Sequence, residues 1–346
     1  MPELSLKVTI LIPTYNRSRY LAEAVESALA QTYRNLEVVV SDNASTDDTA
    51  SVVGRYTRDP RFRYYRNAEN LGMVGNWQKA LREYCSGEWF IILSDDDYFT
   101  DPTYIDKAVD LILSHPEMVL VYANAYLKDE STGVTTALKL PFKETEAGRD
   151  IFLSRGKTGQ LDFALCTVIF NRELSLRLGA FSNLDCIAAD SELFLKSALH
   201  GCVGFISGPA ALYRFHGANL IANYKKDESL LLGYLDWCLS PFKMAREMNI
   251  FAPNELSGWR QRNIVGEFAS VYKGILHYHL RHFFPLTRAL RAQSGISIWE
   301  FALVNMRVIP ELLVKAFRLL MSCISGLITS NSLPGKETAH GGKLQP

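Results

Sequence analysis

Three short apolar runs in the first hundred positions each end abruptly in polar or acidic side chains. They occupy residues 8–12, 36–40 and 89–93. Each run is too short for a helix and, apart from Thr9 and Glu37, is apolar at consecutive positions, which is typical of a strand that is buried on both faces. Between the runs, apolar residues recur at helical spacing, as Leu21 and Val25 do. This alternation predicts an α/β fold in which helices cover both faces of a mostly parallel sheet.

The polar segments that end these runs are Pro13 to Asn16, Asp42 with Asn43, and Asp95 to Asp97. The carboxyl ends of parallel strands meet at one edge of a sheet, and ligands bind in the crevice outside that edge. We therefore expect the three segments to lie close together and to form the binding site.

The acidic triplet Asp95-Asp96-Asp97 is the most informative of these segments. Carboxylates placed side by side repel one another and raise each other's pKa unless a cation lies between them. Hard cations such as Mg²⁺ and Mn²⁺ prefer carboxylate oxygen and commonly bridge to substrate phosphates. The triplet therefore indicates a divalent-metal site. A solvated acidic turn before the next helix, near Pro102, is the alternative.

Composition excludes several other classes of function. The chain of 346 residues has 37 lysines and arginines against 37 aspartates and glutamates, so no overall charge would attract nucleic acid. It lacks the glycine-rich motifs of P-loop and dinucleotide-binding proteins. The six cysteines are scattered without a Cys-x-x-Cys pair, and the N-terminus lacks the pattern of a signal peptide. We expect reduced thiols and a cytoplasmic location.

Four motifs, in this order along the chain, resemble those of the family 2 glycosyltransferases, whose catalytic domain is the GT-A fold. They are VTILIPTYNR at residues 8–17, the segment from Gln31 to Thr49, Asn70-Leu71-Gly72 followed by Asn76, and the acidic triplet, which matches the family's DxD motif. The resemblance covers about the first 220 residues. It implies a Rossmann-like GT-A domain that moves a sugar from a nucleotide-sugar donor to an acceptor hydroxyl, with Mn²⁺ or Mg²⁺ as cofactor.

The resemblance also implies which residues bind the donor and the metal ion. Asp42 would accept a hydrogen bond from the base, and Asp95 would contact the ribose or the metal ion. Asp97, the last acid of the motif, would ligate the ion, with His216 as a further ligand. The residues implied for nucleotide-sugar binding are Pro13, Thr14, Tyr15, Asn16, Arg17, Asp42, Asn70, Gly72, Asn76, Asp95 and Asp96.

Three of these segments also have plain structural interpretations. Ser45 or Thr46 would cap a helix whose first turn holds two aspartates. Asn70 to Gly72 would form a turn with glycine in the left-handed region. His216 lies in an apolar strand and would be an ordinary core residue if it is not a metal ligand.

On the acceptor side, residues 179–193 resemble the family segment that carries the general base. Members often have a Glu-Asp pair there. Here Ala189 replaces the first acid and Asp190 remains, so Asp190 is the predicted base, with Glu192 as the substitute. The structural alternative is that both acids cap the helix that follows, since acids are favourable at helix starts.

One metal ion and one base suffice for a single displacement, which inverts the anomeric centre. The sequence offers no second carboxylate that we can assign as a covalent nucleophile, and the family resemblance also implies inversion. A sugar nucleotidyltransferase and a non-catalytic scaffold of the same fold are the alternatives. The first would usually need a basic, glycine-rich phosphate loop near the N-terminus, and a scaffold need not keep the triplet, Asp190 and His216 together.

After residue 226 the sequence pattern changes from alternating strands and helices to helices alone. We expect a GT-A catalytic domain over 1–226, with a nucleotide-sugar-binding half to about residue 120 and an acceptor half over 121–226. A helical region over 227–329 and a disordered tail over 330–346 follow.

Residues 310–328 form the most amphipathic segment, with Lys315 and Arg318 on the polar face. Such a helix suits a membrane surface rather than a membrane span. Packing on the catalytic domain or on a second subunit is the alternative. Because many bacterial family members build surface polysaccharides on lipid carriers, we expect a saccharide or lipid-linked saccharide acceptor and peripheral contact with the inner face of the cytoplasmic membrane.

Overall fold

A computed structural model describes residues 6–157, 163–217 and 224–310 of the chain. Its strands are β1 (Val8–Thr14), β2 (Leu36–Asp42), β3 (Phe62–Arg66), β4 (Trp89–Ile92), β5 (Tyr98–Phe99), β6 (Met118–Asp129), β7 (Thr135–Ala137), β8 (Thr145–Ala147), β9 (Ile169–Asn171) and β10 (Cys202–Phe215). Its α-helices are α1 (Ser18–Leu29), α2 (Thr49–Gly54), α3 (Gly72–Lys79), α4 (Tyr104–Ser114), α5 (Gly148–Ser154), α6 (Arg172–Arg177), α7 (Ala189–Ala198), α8 (Glu228–Gly233), α9 (Asp236–Met248), α10 (Pro253–Arg260), α11 (Gly266–Tyr278) and α12 (Phe283–Ser294).

The strands form one mixed sheet in the order β3-β2-β1-β4-β9-β6-β10-β5, with β7 beside β6 and β8 beside β10. The pairs among β1 to β4 are parallel, which confirms the prediction for the first half of the chain. The short strand β9 runs antiparallel to both β4 and β6. A strand of three residues is too short to show a hydrophobic period, so the sequence did not predict β9.

Strand register brings the polar strand ends level with one another. Thr14 at the end of β1 pairs with Asp42 at the end of β2, and Leu11 pairs with Ile92 at the end of β4. Both faces of these strands are buried, which accounts for their mostly apolar sequences. Helix α1 covers one face of the sheet. Its buried residues Leu21, Ala24, Val25 and Ala28 recur at helical spacing and so lie on one side of the helix.

Strand β10 brings the second half of the chain to the same edge. It runs parallel to β6 with register shifts near Ile206 and Pro209, and its end pairs with β5, where Leu212 faces Tyr98. Because β5 directly follows the acidic triplet, this pairing places Arg214 and His216 next to the triplet. It is the long-range contact on which the candidate site depends.

Several short helices form the first part of the C-terminal region that was predicted to be helical. They are α8 to α12, with a π-helical turn at Gln261–Val265. Met1–Gly295 forms one compact unit that includes these helices as well as the sheet, and Ile296–Pro346 forms a second unit. The second unit is helical at 298–310. Beyond Pro310, the predicted amphipathic helix and the predicted tail lie outside the described residues.

In the described part of the chain, no helix combines the length and the apolar character that a membrane span needs.

Candidate active site

A cavity of about 330 Å³ opens at the carboxyl edge of β1, β2 and β4. Eight residues predicted to bind the donor line it: Pro13, Thr14, Tyr15, Arg17, Asn70, Gly72, Asn76 and Asp95. Four further lining residues were not predicted as site residues: Asn43, Met73, Trp77 and Ser94. The three strand ends therefore come together as expected, and two of the lining residues that the prediction missed, Met73 and Trp77, lie on helix α3.

A cluster of asparagines, of which Asn43 is buried, holds α3 against the strand ends. The Asn43 side chain donates to Asn70 Oδ1 (2.7 Å) and to the Gly72 carbonyl (3.1 Å), and its Oδ1 accepts from the Leu71 amide (2.9 Å). Gly72 has φ +75°, so the predicted left-handed turn is present at the cavity wall. Because these amide groups are satisfied by one another, the cavity wall is fixed before any ligand binds.

Asn76 ties the same cluster to β2. Its Oδ1 accepts from Ser41 Oγ (2.7 Å) and from Asn67 Nδ2 (2.9 Å), and its side-chain Nδ2 donates to the Ser41 carbonyl (3.0 Å). The residue is 2% exposed, so most of its side chain supports the wall from behind.

Asp42 lies beneath the cavity and does not line it. One carboxylate oxygen accepts from the Ser45 amide (2.8 Å) and the other from the Tyr64 hydroxyl (2.6 Å). The residue has no exposed surface, so a contact with the base would require these bonds to rearrange. Its role in base binding stays a prediction. The loop after it differs from the expected cap, because α2 begins only at Thr49, whose amide donates to Asp47 Oδ1 (3.1 Å).

Asn16 connects the loops after β1 and β2. Its backbone lies in the left-handed region with φ 53°, and its Oδ1 accepts from the Thr46 amide (2.7 Å). The Asn16 amide in turn donates to Ser45 Oγ (2.9 Å). These contacts position the loop, and among the described residues Asn16 does not line the cavity.

Arg17 neutralises part of the acidic triplet. Its Nη1 donates to Asp96 Oδ2 (2.6 Å) and lies 3.2 Å from Asp95 Oδ1. Burial raises the pKa of Asp95 to about 6, although the Arg17 guanidinium opposes that rise. The expected rise in pKa is therefore present, but burial contributes more to it than the neighbouring carboxylates do.

Asp97 is turned towards the protein interior. It is 1% exposed, and its Oδ1 accepts from the Arg214 amide (2.9 Å). Burial raises the pKa of Asp97 well above its ordinary value, and the negative charge of Asp96 adds to the rise. The buried Arg214 guanidinium also donates to the Asp96 carbonyl (2.6 Å), so Arg214 fixes the backbone of the triplet.

His216 contacts Asp96 rather than Asp97. Its Nε2 lies 2.8 Å from Asp96 Oδ2, and its ring stacks on Tyr20 with 5.8 Å between ring centroids. The sequence placed His216 at the triplet, and the structure brings the two together through the pairing of β10 with β5.

Asp190 lies in the first turn of α7, which begins at Ala189. Among the described residues it accepts no side-chain hydrogen bond. Burial raises the pKa of Asp190, and backbone hydrogen bonding at Ser191 opposes the rise. Burial also raises the pKa of Tyr213, and the negative charges of Asp97 and Asp190 add to the rise. Glu192, the alternative base, is instead paired with Lys196 Nζ at 2.5 Å.

The model of glycosyl transferase family 2 matches residues 9–184, which is just over half of the chain. This protein belongs to glycosyl transferase family 2. It is therefore a glycosyltransferase, and eight of the residues predicted to bind the donor line its edge cavity.

Several curated proteins are similar to parts of this glycosyltransferase. An uncharacterized glycosyltransferase of Rickettsia typhi is 28% identical over 235 residues, which cover 66% of this chain and 71% of that protein. The chondroitin synthase of Escherichia coli is 32% identical over 40% of this chain and 20% of its own length. An uncharacterized protein of Mycobacterium bovis is 34% identical over 33% of this chain and 34% of its own length. This chain therefore matches only about a third of the mycobacterial relative.

Solved structures show that the glycosyltransferase has the GT-A fold. S. aureus TarS 1-349 in complex with UDP-GlcNAc superposes with a TM-score of 0.53 at 18% identity, over 85% of this chain and 93% of that one. The mannosyltransferase PcManGT from Pyrobaculum calidifontis, in complex with GDP-Man and Mn²⁺, superposes with a TM-score of 0.50 at 22% identity, over 94% of this chain and 86% of that one.

The side chains of this glycosyltransferase at the triplet suit a divalent cation. No three His, Cys, Asp or Glu side chains form a preassembled metal cage within 6–157, 163–217 and 224–310. Mg²⁺ and Mn²⁺ do not require one, because they commonly use one or two carboxylates and complete their shell with water and substrate phosphate. Asp96 with His216 offers an oxygen and an imidazole at one point, and Asp97 Oδ2 has no N–H or O–H donor in the described residues. These atoms fit such an ion.

Proposed function

We propose that this glycosyltransferase moves one sugar, with inversion, from a nucleotide-sugar in the edge cavity to an acceptor hydroxyl. The observation that carries the proposal is the cavity itself, on whose wall Arg17 meets Asp95 at the ends of three strands. Its volume of about 330 Å³ lies in the range of small-molecule sites. TarS and PcManGT were solved with nucleotide-sugars, which supports a donor of this class here.

Donor binding follows from the chemistry of the cavity wall. Tyr15 is 44% exposed and offers a flat apolar face, while Trp77 closes the inner wall. Arg17 provides a cation for the diphosphate, a group that arginine recognises well. We place the predicted donor contacts of Pro13, Thr14, Asn70 and Gly72 on the same wall.

A divalent ion, Mn²⁺ or Mg²⁺, is part of the proposal. Asp96 and His216 would hold it, with the predicted ligand Asp97 beside them. We favour Asp96 over Asp97 as the principal carboxylate because Asp96 is the one that contacts the imidazole. When bound, such an ion stabilises the negative charge that builds on the departing diphosphate.

Asp190 is the proposed general base. As the acceptor oxygen forms its bond to the anomeric carbon and the bond to the diphosphate breaks, the Asp190 carboxylate takes the hydroxyl proton. Glu192 is the weaker candidate because its ion pair with Lys196 already uses its charge. With one base and no covalent nucleophile, the transfer is a single displacement that inverts the anomeric centre.

For the acceptor we propose a saccharide, carried on a lipid, in the synthesis of a bacterial surface polysaccharide. The similarity to a chondroitin synthase supports a saccharide acceptor in general terms. The free thiols at Cys85, Cys166, Cys186, Cys202 and Cys238 suit a reducing compartment, so we place the enzyme on the cytoplasmic side of the membrane.

A panel of UDP-, GDP- and dTDP-sugars, with and without Mn²⁺, tests the proposal. The cognate donor should raise the Tm by mass action, and it should support transfer to an added acceptor saccharide or slow release of the free nucleoside diphosphate. Synthesis of a nucleotide-sugar from a sugar phosphate and a nucleoside triphosphate would instead indicate a nucleotidyltransferase. Stabilisation by none of the donors would indicate a non-catalytic scaffold.

A further inference from the structure

The connection between α11 and α12 exposes large apolar side chains to solvent. Phe284 is 82% exposed, Leu280 67% and Tyr278 48%. We call residues 277–289, which contain them, the hairpin tip. Single exposed apolar residues are common on protein surfaces, but several within one short segment mark a contact surface.

The hairpin tip is held firmly from below. Leu286 and Leu290 of α12 are buried, as are Tyr272 and Ile275 of α11. The ring of Phe283 packs against Tyr272 with 6.0 Å between ring centroids. The exposed side chains therefore project from an ordered helical hairpin.

Charge around the hairpin tip is strongly one-sided. The sequence has no aspartate or glutamate between Glu267 and Glu300, whereas it has four basic residues there: Lys273, Arg281, Arg288 and Arg291. The chain as a whole has a formal net charge of zero, whereas the tip itself, residues 277–289, contains Arg281 and Arg288 and no aspartate or glutamate. Arg281 and Arg288 are exposed on the tip.

One acid from another helix reaches the base of the tip. Glu228 Oε1 lies 2.5 Å from His282 Nδ1 and 3.3 Å from His279 Nδ1. This carboxylate therefore contacts the two histidines, whereas Arg281 and Arg288 are exposed.

We propose that the hairpin tip docks on an anionic lipid surface, with Leu280 and Phe284 entering the interface and Arg281 and Arg288 facing the headgroups. Protruding apolar side chains beside arginines are the features that interfacial protein segments use. This inference rests on the proposed function, because docking on a membrane would serve an enzyme whose acceptor is carried on a lipid. It adds the surface that would hold the enzyme at the membrane.

Two other occupants fit the tip less well. A second copy of the chain would bring the same arginines face to face, and like charges at an interface are repelled. A nucleic acid would use the arginines, but it would gain little from Leu280, because base stacking needs a flat ring. An anionic lipid surface satisfies the charge and the aliphatic side chain together.

Sedimentation of the full-length protein with lipid vesicles tests the proposal without donor or acceptor. We expect the protein to bind vesicles of phosphatidylcholine mixed with phosphatidylglycerol, and to bind phosphatidylcholine alone much more weakly. The double variant Leu280→Ser/Phe284→Ser should lower the partition coefficient at least about tenfold. Each of Arg281→Gln and Arg288→Gln should lower it roughly fivefold. Raising the salt concentration should weaken binding to the mixed vesicles.

Matched controls change the same chemistry elsewhere. Val134→Ser removes another exposed apolar side chain, and Arg55→Gln removes another exposed arginine, so both should bind vesicles as the unchanged protein does. Equal binding by the tip variants, or equal binding to both kinds of vesicle, would overturn the proposal. Two further results would also overturn the proposal, provided that vesicle binding does not depend on Phe284. One is a concentration-dependent dimer that depends on Phe284, and the other is binding to single-stranded nucleic acid that depends on Phe284.

Thermal stabilisation by the cognate nucleotide-sugar separates this inference from the proposed function. Tip variants that lose vesicle binding should keep the full rise in Tm with donor, because the tip does not line the donor cavity. If no nucleotide-sugar raises the Tm of the unchanged protein, the result counts against the proposed function. It does not affect the conclusion from vesicle binding.

Discussion

His216 Nε2 lies 2.8 Å from Asp96 Oδ2, although 120 residues separate the two along the chain. The contact selects one carboxylate from three adjacent ones. Asp95 lies on the donor cavity and Asp97 faces the interior, so the middle aspartate is the one that shares a position with an imidazole. The proposed metal site therefore centres on Asp96 and His216.

Removing this pair should remove metal-dependent activity. We expect EDTA to abolish transfer and Mn²⁺ or Mg²⁺ to restore it, and Asp96→Asn to lower kcat by at least roughly a hundredfold, since a bound cation supplies several kcal/mol to the leaving group. His216→Ala should weaken Mn²⁺ binding, measured by electron paramagnetic resonance. The control His200→Ala changes an exposed histidine. Full activity of Asp96→Asn in chelator would rule out the metal site. If Asp97→Asn loses Mn²⁺ and Asp96→Asn does not, Asp97 is the ligand.

Asp190 and Glu192 can be separated by their effects on chemistry and binding. Asp190→Asn is nearly isosteric, so donor affinity should change little while kcat falls by roughly 10² to 10⁴, the usual contribution of a general base. Glu192→Gln should keep most of its kcat and lose stability instead, because Lys196 would lose its partner. Single-turnover kinetics with thermal melts measure both. The reverse pattern would make Glu192 the base.

Glu37 should make stability depend on pH in the acid range. Burial by itself raises the pKa of Glu37, but hydrogen bonds from Lys7, Thr9 and Ser86 lower it from 4.5 to about 2. A carboxylate with a depressed pKa stabilises the folded state above its unfolded pKa and loses that effect as pH falls through its folded pKa.

We therefore expect Glu37→Gln to lower the free energy of unfolding by about 1–2 kcal/mol at neutral pH, a value reduced for the partial solvent exposure of Lys7. The difference from the unchanged protein should shrink between pH 4.5 and 2. Urea unfolding at several pH values measures it, with Glu69→Gln at an exposed position as the control. A difference that does not vary with pH would contradict the assignment.

Asn43 should matter for the shape of the donor cavity. Asn43→Ala leaves the Leu71 amide and Asn70 without their buried partner, which should cost about 1–3 kcal/mol of stability and loosen the wall formed by α3. The Kd for the cognate donor should rise. Asn43→Asp keeps the acceptor oxygen and loses the N–H donors, so its donor Kd should fall between those of the unchanged protein and Asn43→Ala. Unchanged donor affinity in Asn43→Ala would show that the wall holds without the asparagine cluster.

The sequence by itself determined the first half of the sheet and its polar edge. The strands β1, β2 and β4 begin where their apolar runs begin, and the residues after them line or underlie one cavity. This much is local, because the apolar period defines a strand and parallel strands share one carboxyl edge. The family motifs then identified most of the cavity wall, from Pro13 to Asp95.

Only the tertiary structure decided what each of these side chains contacts. The wall residues Met73 and Trp77 depend on how α3 is turned, and Asp42 is placed beneath the cavity by Ser45 and Tyr64. The selection of Asp96 by His216 depends on β10 pairing with β5, between residues more than a hundred positions apart. Adjacent aspartates are equivalent in a sequence motif. They become different when the fold gives Asp97 the Arg214 amide, places Asp96 beside His216, and leaves Asp95 on the cavity wall.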